Sequence, residues 1–230
     1  MLTRQEQSTL RTRSTASRHR EGTVIVAEGA ANSRVTIIRS GWAKATVIKA
    51  HRQVLLRLYG PGELIGISAA LTGAAPAETV TVTCFELHAM SLPARSFAEF
   101  LRRAPNASTA LHRLHQWRLE EADRLRAIRD YPTAAQRLAG LLVELCRPEN
   151  DPIRHDDGTI SVPTSGAALS QQDLGSWIGD SRKTVVRAMS DLRKMQLTRH
   201  TLPRHVNITA PDRLRAFAEA ADAGRPIPLP

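Results

Sequence analysis

Between residues 181 and 205 the chain carries seven basic side chains, Arg182, Lys183, Arg187, Arg193, Lys194, Arg199 and Arg204, against one acid, Asp191. Cations at this density attract phosphate oxygens, and an arginine can also donate two parallel hydrogen bonds to O6 and N7 of guanine. The surrounding residues decide whether these charges line a binding surface or only a solvated one. Leu174 and Ile178 fall at i, i+4 and give a first short helix one apolar side. Gly179-Asp180 breaks it, and Ser181 is placed to cap a second helix by accepting from an orphan backbone N–H. In that second helix Val185, Met189 and Leu192 fall at i, i+4, i+7 and face a core. Arg182, Lys183, Val186 and Arg187 then point outward from its N-terminal end. Basic residues there suit insertion into a DNA major groove. Leu197 to Ile208 follows as two short strands around a basic turn, the form of a wing. Arg199, His200, Arg204 and His205 are its candidates for phosphate contact.

Other chemistries find little support. The two cysteines, Cys84 in an expected strand and Cys146 in an expected helix, read as buried small hydrophobes, and residues 1–83 contain none for an iron–sulfur cluster. No metal site is expected: His51 and His88 read as structural. His112 and His115, at i, i+3, are the one pair that a symmetry mate could complete. There is no phosphate-binding loop ending in Gly-Lys-Ser/Thr, no nucleophile elbow and no metal-spaced carboxylates, so an enzyme is not expected. The chain has 230 residues, 42% of them hydrophobic, and a net charge of +10, which fits a folded protein with a polyanionic partner. No apolar run is long enough for a membrane span and the first residues lack a signal-peptide core, so the cytoplasm is the expected compartment.

The remaining elements divide in order. Residues 1–20 read as a mobile basic N-terminus. Residues 21–104 are β-rich: Val35–Ile38, Ala45–Ile48 and Val54–Tyr59 are β-branched or apolar runs, and Thr79–Met90 reads as one long alternating strand. Gly41, Gly60-Pro61-Gly62 and Gly73 mark turns, and short strands at this spacing suggest a small barrel or sandwich. Residues 105–131 form a long helix behind Pro105. Its Leu111, Leu114, Leu125 and Ile128, with Arg118 and Glu121 as a polar middle, fit a seam that pairs two copies of the chain. Packing within the helix's own domain is the alternative. Tyr131-Pro132 ends that helix and serves as a joint, Thr133 caps the next, and residues 148–158 read as a polar loop within a 132–230 domain.

An α+β chain of this order, with a β-roll, a long dimerisation helix, a hinge and a C-terminal winged helix-turn-helix, resembles the cyclic-AMP receptor protein/FNR (Crp/Fnr) family of bacterial transcription regulators. The resemblance covers nearly everything after residue 20. It rests most on Gly60-Pro-Gly-Glu-Leu-Ile-Gly66, similar to the family's Pro-Gly-Asp-x-x-Gly turn, and on Ser181-Arg-Lys-Thr-Val-Val-Arg187, similar to its recognition-helix motif. The resemblance implies a homodimer on a pseudo-palindromic site in double-stranded DNA, with RNA polymerase as a further partner. It makes Arg182 a guanine reader, Arg187 a second basic reader, and Ser181 and Thr184 cap and phosphate contact. Lys183 stands where the family commonly has a glutamate that accepts from cytosine, which a lysine cannot do. The effector pocket departs further. Where the family's ligand-holding Glu, Arg and Ser/Thr are expected, this chain has Ile67, Ala77 and Glu78, flanked by Gly66, Ser68 and Thr79. With no basic residue there, a buried phosphodiester would keep its charge uncompensated, so cyclic AMP is not expected as an effector and no cofactor is predicted. A regulator switched by haem, metal or another nucleotide is the alternative within the family. An interaction scaffold that does not read DNA is the alternative outside it.

Overall fold

The computed structural model describes residues 2–49, 51–147, 152–162, 169–202 and 205–220. It divides into two compact units, Met1–Glu120 and Glu121–Pro230. Each is described by itself.

The first unit begins with α1, Arg4–Thr12, and β1, Thr15–Arg20. The expectation of a mobile N-terminus is thereby corrected. Thr3 accepts from Glu6 N while the Glu6 carboxylate reaches back to Thr3 N, and β1 pairs with β8 (Glu86–Pro93) from Thr15↔Ser91 to Arg20↔Glu86. The other strands are β2 (Val24–Val26), β3 (Arg34–Ser40), β4 (Ala43–Lys49), β5 (Arg52–Tyr59), β6 (Leu64–Ile65) and β7 (Thr79–Val82). They make two four-stranded sheets, β1-β8-β3-β6 and β2-β7-β4-β5. Alternate residues of both sheets turn inward, and Ile38, Ala43, Ala45, Tyr59, Ile65, Val80, Val82, Leu87 and Ala89 form the core between them. A second cluster, Leu10, Val35, Leu92, Phe97, Phe100, Ala104 and Ala107, joins α1 and β3 to α3 (Ala94–Arg103) and the start of α4 (Pro105–Ile128).

The expected single strand over Thr79–Met90 is two strands, β7 and β8, broken at Thr83-Cys84-Phe85. Cys84 therefore lies in a turn and is only half-buried, where its Sγ accepts from Trp42 N at 3.1 Å. Gly41 faces this turn at φ +92°, and a Cβ on it would lie 2.8 Å from Cys84 Sγ and from Glu86 O. The turn is specified by packing rather than by a Gly or Pro of its own.

In the second unit the last turns of α4 meet α5 (Ala134–Leu145). Arg124 Nε donates to Glu144 Oε1 at 2.8 Å, and Arg129 Nε to Trp177 O at 3.2 Å. The boundary between the units thus falls inside α4, ahead of Tyr131-Pro132. Thr133 caps α5 as expected, in a reciprocal pair with Gln136. The helices α6 (Gln171–Ile178), α7 (Arg182–Lys194) and α8 (Pro211–Glu219) bury Leu174, Ile178, Val185, Met189, Leu192 and Leu214 beside Leu138, Leu141 and Leu142 of α5. A sheet of order β11-β12-β10-β9 flanks them, with β11 at Thr198–Leu202, β12 at His205–Ile208, β9 at Ile153–Arg154 and β10 at Ile160–Ser161. The expected polar loop is thus in part a β9–β10 hairpin, turned at Asp157-Gly158. Among the described residues no helix is long and apolar enough to cross a membrane.

Candidate nucleic-acid interface

The turn between α6 and α7 is held by its glycine and by hydrogen bonds on both sides of it. Ser170 opens α6 by accepting from Asp173 N, and Gly179 ends it at φ +77°. Asp180 N donates to Gly175 O at 2.8 Å, and Arg137 Nη2 donates to Asp180 Oδ2 at 2.7 Å. Ser181 opens α7 by accepting from Thr184 N at 3.1 Å. Helix α7 then buries Val185, Ala188, Met189 and Leu192 and leaves Arg182, Lys183, Val186 and Arg187 exposed. The expected division of faces is therefore present. Thr184 is half-buried, and its hydroxyl bonds the Ser181 hydroxyl at 2.8 Å.

Gly175 is the tightest position of the turn. A Cβ there would lie 2.7 Å from the backbone oxygen of Asp180, which cannot swing aside as a side chain would. Gly175→Ala is expected to cost about 1–3 kcal/mol by forcing the two helices apart. A lowered Tm with parallel loss of DNA binding is the outcome; an unchanged Tm would contradict the close approach.

One residue of this surface was not anticipated. Gln171, at the start of α6, accepts from Arg182 Nε at 3.2 Å and so sets the direction of the guanidinium. Its signal in the sequence is only a polar residue just after a cap, which many helices have. On the wing, Arg199 is exposed and sits opposite Asn207 in the β11–β12 pair. Asp157 of the β9–β10 hairpin accepts from Thr159 N and Oγ1, and these bonds, followed by His155 and Arg199, hold its carboxylate below the ordinary value. Arg204 lies outside the described residues, as do the side chains of His200 and His205.

In the β-roll, Gly66 has φ +78°, and a Cβ on it would collide with Asn32 Nδ2 and lie 2.7 Å from Arg34 O. The turn into α2 (Ile67–Leu71) therefore requires glycine. Ile67 packs against the second apolar cluster. Ala77 is exposed, and Thr79 Oγ1 accepts from Glu28 N at 3.1 Å. Glu78 is not an unbalanced negative charge: Arg57 Nη2 donates to its Oε1 at 2.8 Å and the Tyr59 hydroxyl donates to the same oxygen at 2.5 Å. The expectation of no basic residue at this site is corrected by Arg57, which comes from β5. Burial raises the pKa of the Tyr59 phenol; Arg57 opposes this and Glu78 adds to it, so the phenol stays a donor.

The expected α4 seam is largely used within a single chain. Leu111 and Ile128 are 9% and 7% exposed, and Glu121 is buried. Arg118 donates to Leu58 O at 2.9 Å and pairs with Glu63. Leu114 and Leu125 are half-buried. The reason is that a 3-4 repeat names a face of a helix without naming what covers it. A more open stripe lies one register away, through exposed His112, Leu119 and Ala122 and half-buried His115, with Leu119 63% exposed. Among the described residues no three His, Cys, Asp or Glu side chains cluster as metal ligands. Cys146, half-buried at the end of α5, has its thiol pushed up to about 12 by burial, against Arg154 and Arg215. That is far from a reactive thiolate.

Residues 17–104 match the model of the cyclic nucleotide-binding domain, and residues 136–217 match that of the Crp-like helix-turn-helix domain. The chain belongs to the Crp/Fnr family. Solved structures agree with this Crp/Fnr fold. FixK2 from Bradyrhizobium japonicum is 18% identical, with 91% of this chain and 99% of that one covered and a TM-score of 0.74. A CooA mutant from Carboxydothermus hydrogenoformans is 15% identical over 92% and 90%, with a TM-score of 0.73. A CRP-family transcriptional regulator from Thermus thermophilus is 21% identical over 90% and 100%, with a TM-score of 0.70. At these identities the likeness is one of fold. No curated protein matches the sequence. The Crp/Fnr chain is thus a transcription regulator with a cyclic nucleotide-binding domain ahead of its helix-turn-helix.

Proposed function

We propose that this regulator binds a pseudo-palindromic DNA operator as a homodimer and does so without cyclic AMP. The observation that carries the reading is the N-terminal end of α7, where Arg182, Lys183 and Arg187 project outward from a helix whose other side is fully packed. Arg182 reads a guanine, Arg187 a second base, and Ser181 and Thr184 hold the helix start against a phosphate. Lys183 accepts no hydrogen bond, so the base opposite it is a purine edge or a phosphate rather than cytosine N4. Val186, 41% exposed, adds apolar contact of the kind a thymine methyl offers. Arg199 and Arg204, with His200, hold the backbone from the wing. A pseudo-palindromic operator needs two such helices about 34 Å apart, one turn of DNA, which a dimer paired through α4 would supply. The chain acts through DNA and RNA polymerase rather than as an enzyme.

Independence from cyclic AMP is supported by the contacts of Glu78, which already fill a hydrogen bond of Arg57 and the hydroxyl of Tyr59. Titration calorimetry of the full chain with cyclic AMP, alongside anisotropy of a labelled operator, tests this. No cyclic AMP binding tighter than about 10 μM and unchanged DNA affinity are expected. Tight nucleotide binding with strengthened operator binding would overturn it.

A further inference from the structure

Strand β4 lies between β5 and β7 in its sheet, and the register sets Arg57 and Val80 on either side of Ala45, and Tyr59 and Val82 on either side of Ala43. Directly paired residues share a face of the sheet, and this face is the interior of the roll. Both β4 residues are alanines and both are fully buried, which leaves room above them for the long side chains of β5. Glu78, two residues before Val80, reaches into that room. Its side chain is 16% exposed, and that of Arg57 is 35% exposed. Arg57 also stacks over the Tyr59 ring at 4.7 Å, and its Nε is buried with no hydrogen-bond partner. A guanidinium in this position is favoured by an anion, and the chain supplies one from beside β7, across β4.

The same tyrosine faces α4. Arg118 lies 5.5 Å over the Tyr59 ring, bonds Leu58 O next to it, and pairs with Glu63. The carboxylate of Glu78 therefore holds Tyr59 at its hydroxyl while α4 holds it at its ring.

We propose that Arg57 and Tyr59 form a small-oxyanion site inside the β-roll, occupied by the chain's own Glu78 as a tethered ligand. The tether makes occupancy intramolecular, which sets a high local concentration of the carboxylate. The contacts of Tyr59 with Glu78 and Arg118 are then made without a free ligand. This deepens the proposed independence from cyclic AMP and names its cause. The site is general for a carboxylate-sized oxyanion once the tethered one is removed.

Glu78→Ala in the full chain tests it, with Tm as the first readout. The variant in chloride buffer is expected to lose about 5–10 °C, because Arg57 is left without its anion. Sodium acetate at about 100 mM is expected to restore at least half of that loss, while chloride at equal ionic strength restores none and wild-type protein responds to neither. The rescue is expected to vanish in Arg57→Ala/Glu78→Ala. If Glu78→Ala does not fold in chloride, refolding in acetate is expected to recover it. Equal behaviour in acetate and chloride, or a rescue that survives loss of Arg57, overturns the site. The readout is independent of DNA: a wild type that binds no operator would remove the proposed function and leave the rescue standing. Operator binding with no rescue would remove only the tethered ligand.

Discussion

Arg182→Ala is expected to weaken binding to the specific operator by about 1–3 kcal/mol, roughly 5- to 150-fold, and to relax the base preference at one position of each half-site. The side chain sits in the first turn of α7, behind the Ser181 cap, where a recognition helix meets base edges. Its hydrogen bond goes to Gln171, an exposed neighbour, so its removal leaves the buried face of α7 intact. The Tm is therefore expected to stay within about 1 °C of wild type, which separates lost contact from lost fold. Arg199→Ala makes the contrast. It is expected to weaken all sequences alike and to lower the salt slope by about one. Site selection with the Arg182 variant checks the assignment; an unchanged preference would refute it.

Leu119→Glu is expected to give a monomer and to lower operator affinity by about 10²- to 10⁴-fold, because two half-sites are then no longer held by one particle. Leu119 is the large apolar side chain left open on α4, and burying it against a partner is worth about 1.5–3 kcal/mol per copy. A glutamate there places like charges across the two-fold axis. His112, His115 and Ala122 continue the stripe at helical spacing, which gives the partner helix a path. Ile128→Glu is a poor substitute, since Ile128 is buried within its own chain and packs near Gly140. Light scattering at micromolar concentration reads the outcome. A wild-type monomer, or a Leu119→Glu dimer with full affinity, would refute pairing through this face.

The recognition helix was legible because its information is local. A cap at Ser181 and a 3.6-residue repeat through Val185, Met189 and Leu192 divide the helix into a buried and an open face without reference to the rest of the fold. The two wing strands followed from β-branched residues around a turn in the same way. The N-terminal helix also carried a local signal, Thr3-x-x-Glu6, hidden by its polar composition, and the β9–β10 hairpin carried Asp157-Gly158. The break between β7 and β8 was different. Nothing in Thr83-Cys84-Phe85 forbids a strand, and the turn depends on Gly41 leaving space for Cys84.

The β-roll site was half legible. Sequence spacing located Gly66, Ile67, Ala77 and Glu78, but the cation that balances Glu78 arrives from β5 across an intervening strand. Only the alternation that turns Tyr59 inward also turns Arg57 inward, and a lone arginine in an apolar strand does not name its partner. The surroundings of the α4 seam were hidden for a related reason. Arg118 and Glu121 fit the polar middle of a paired helix, and Arg118 instead meets Glu63 within its own unit, a contact spanning 55 residues.

Selection of randomised DNA duplexes by the purified wild-type chain, with no nucleotide added, tests the central claim most directly. The account predicts enrichment of an inverted repeat whose half-sites lie about one helical turn apart, with one position in each half depending on Arg182. Recovery of unselected sequences, or enrichment only when cyclic AMP is supplied, would contradict it.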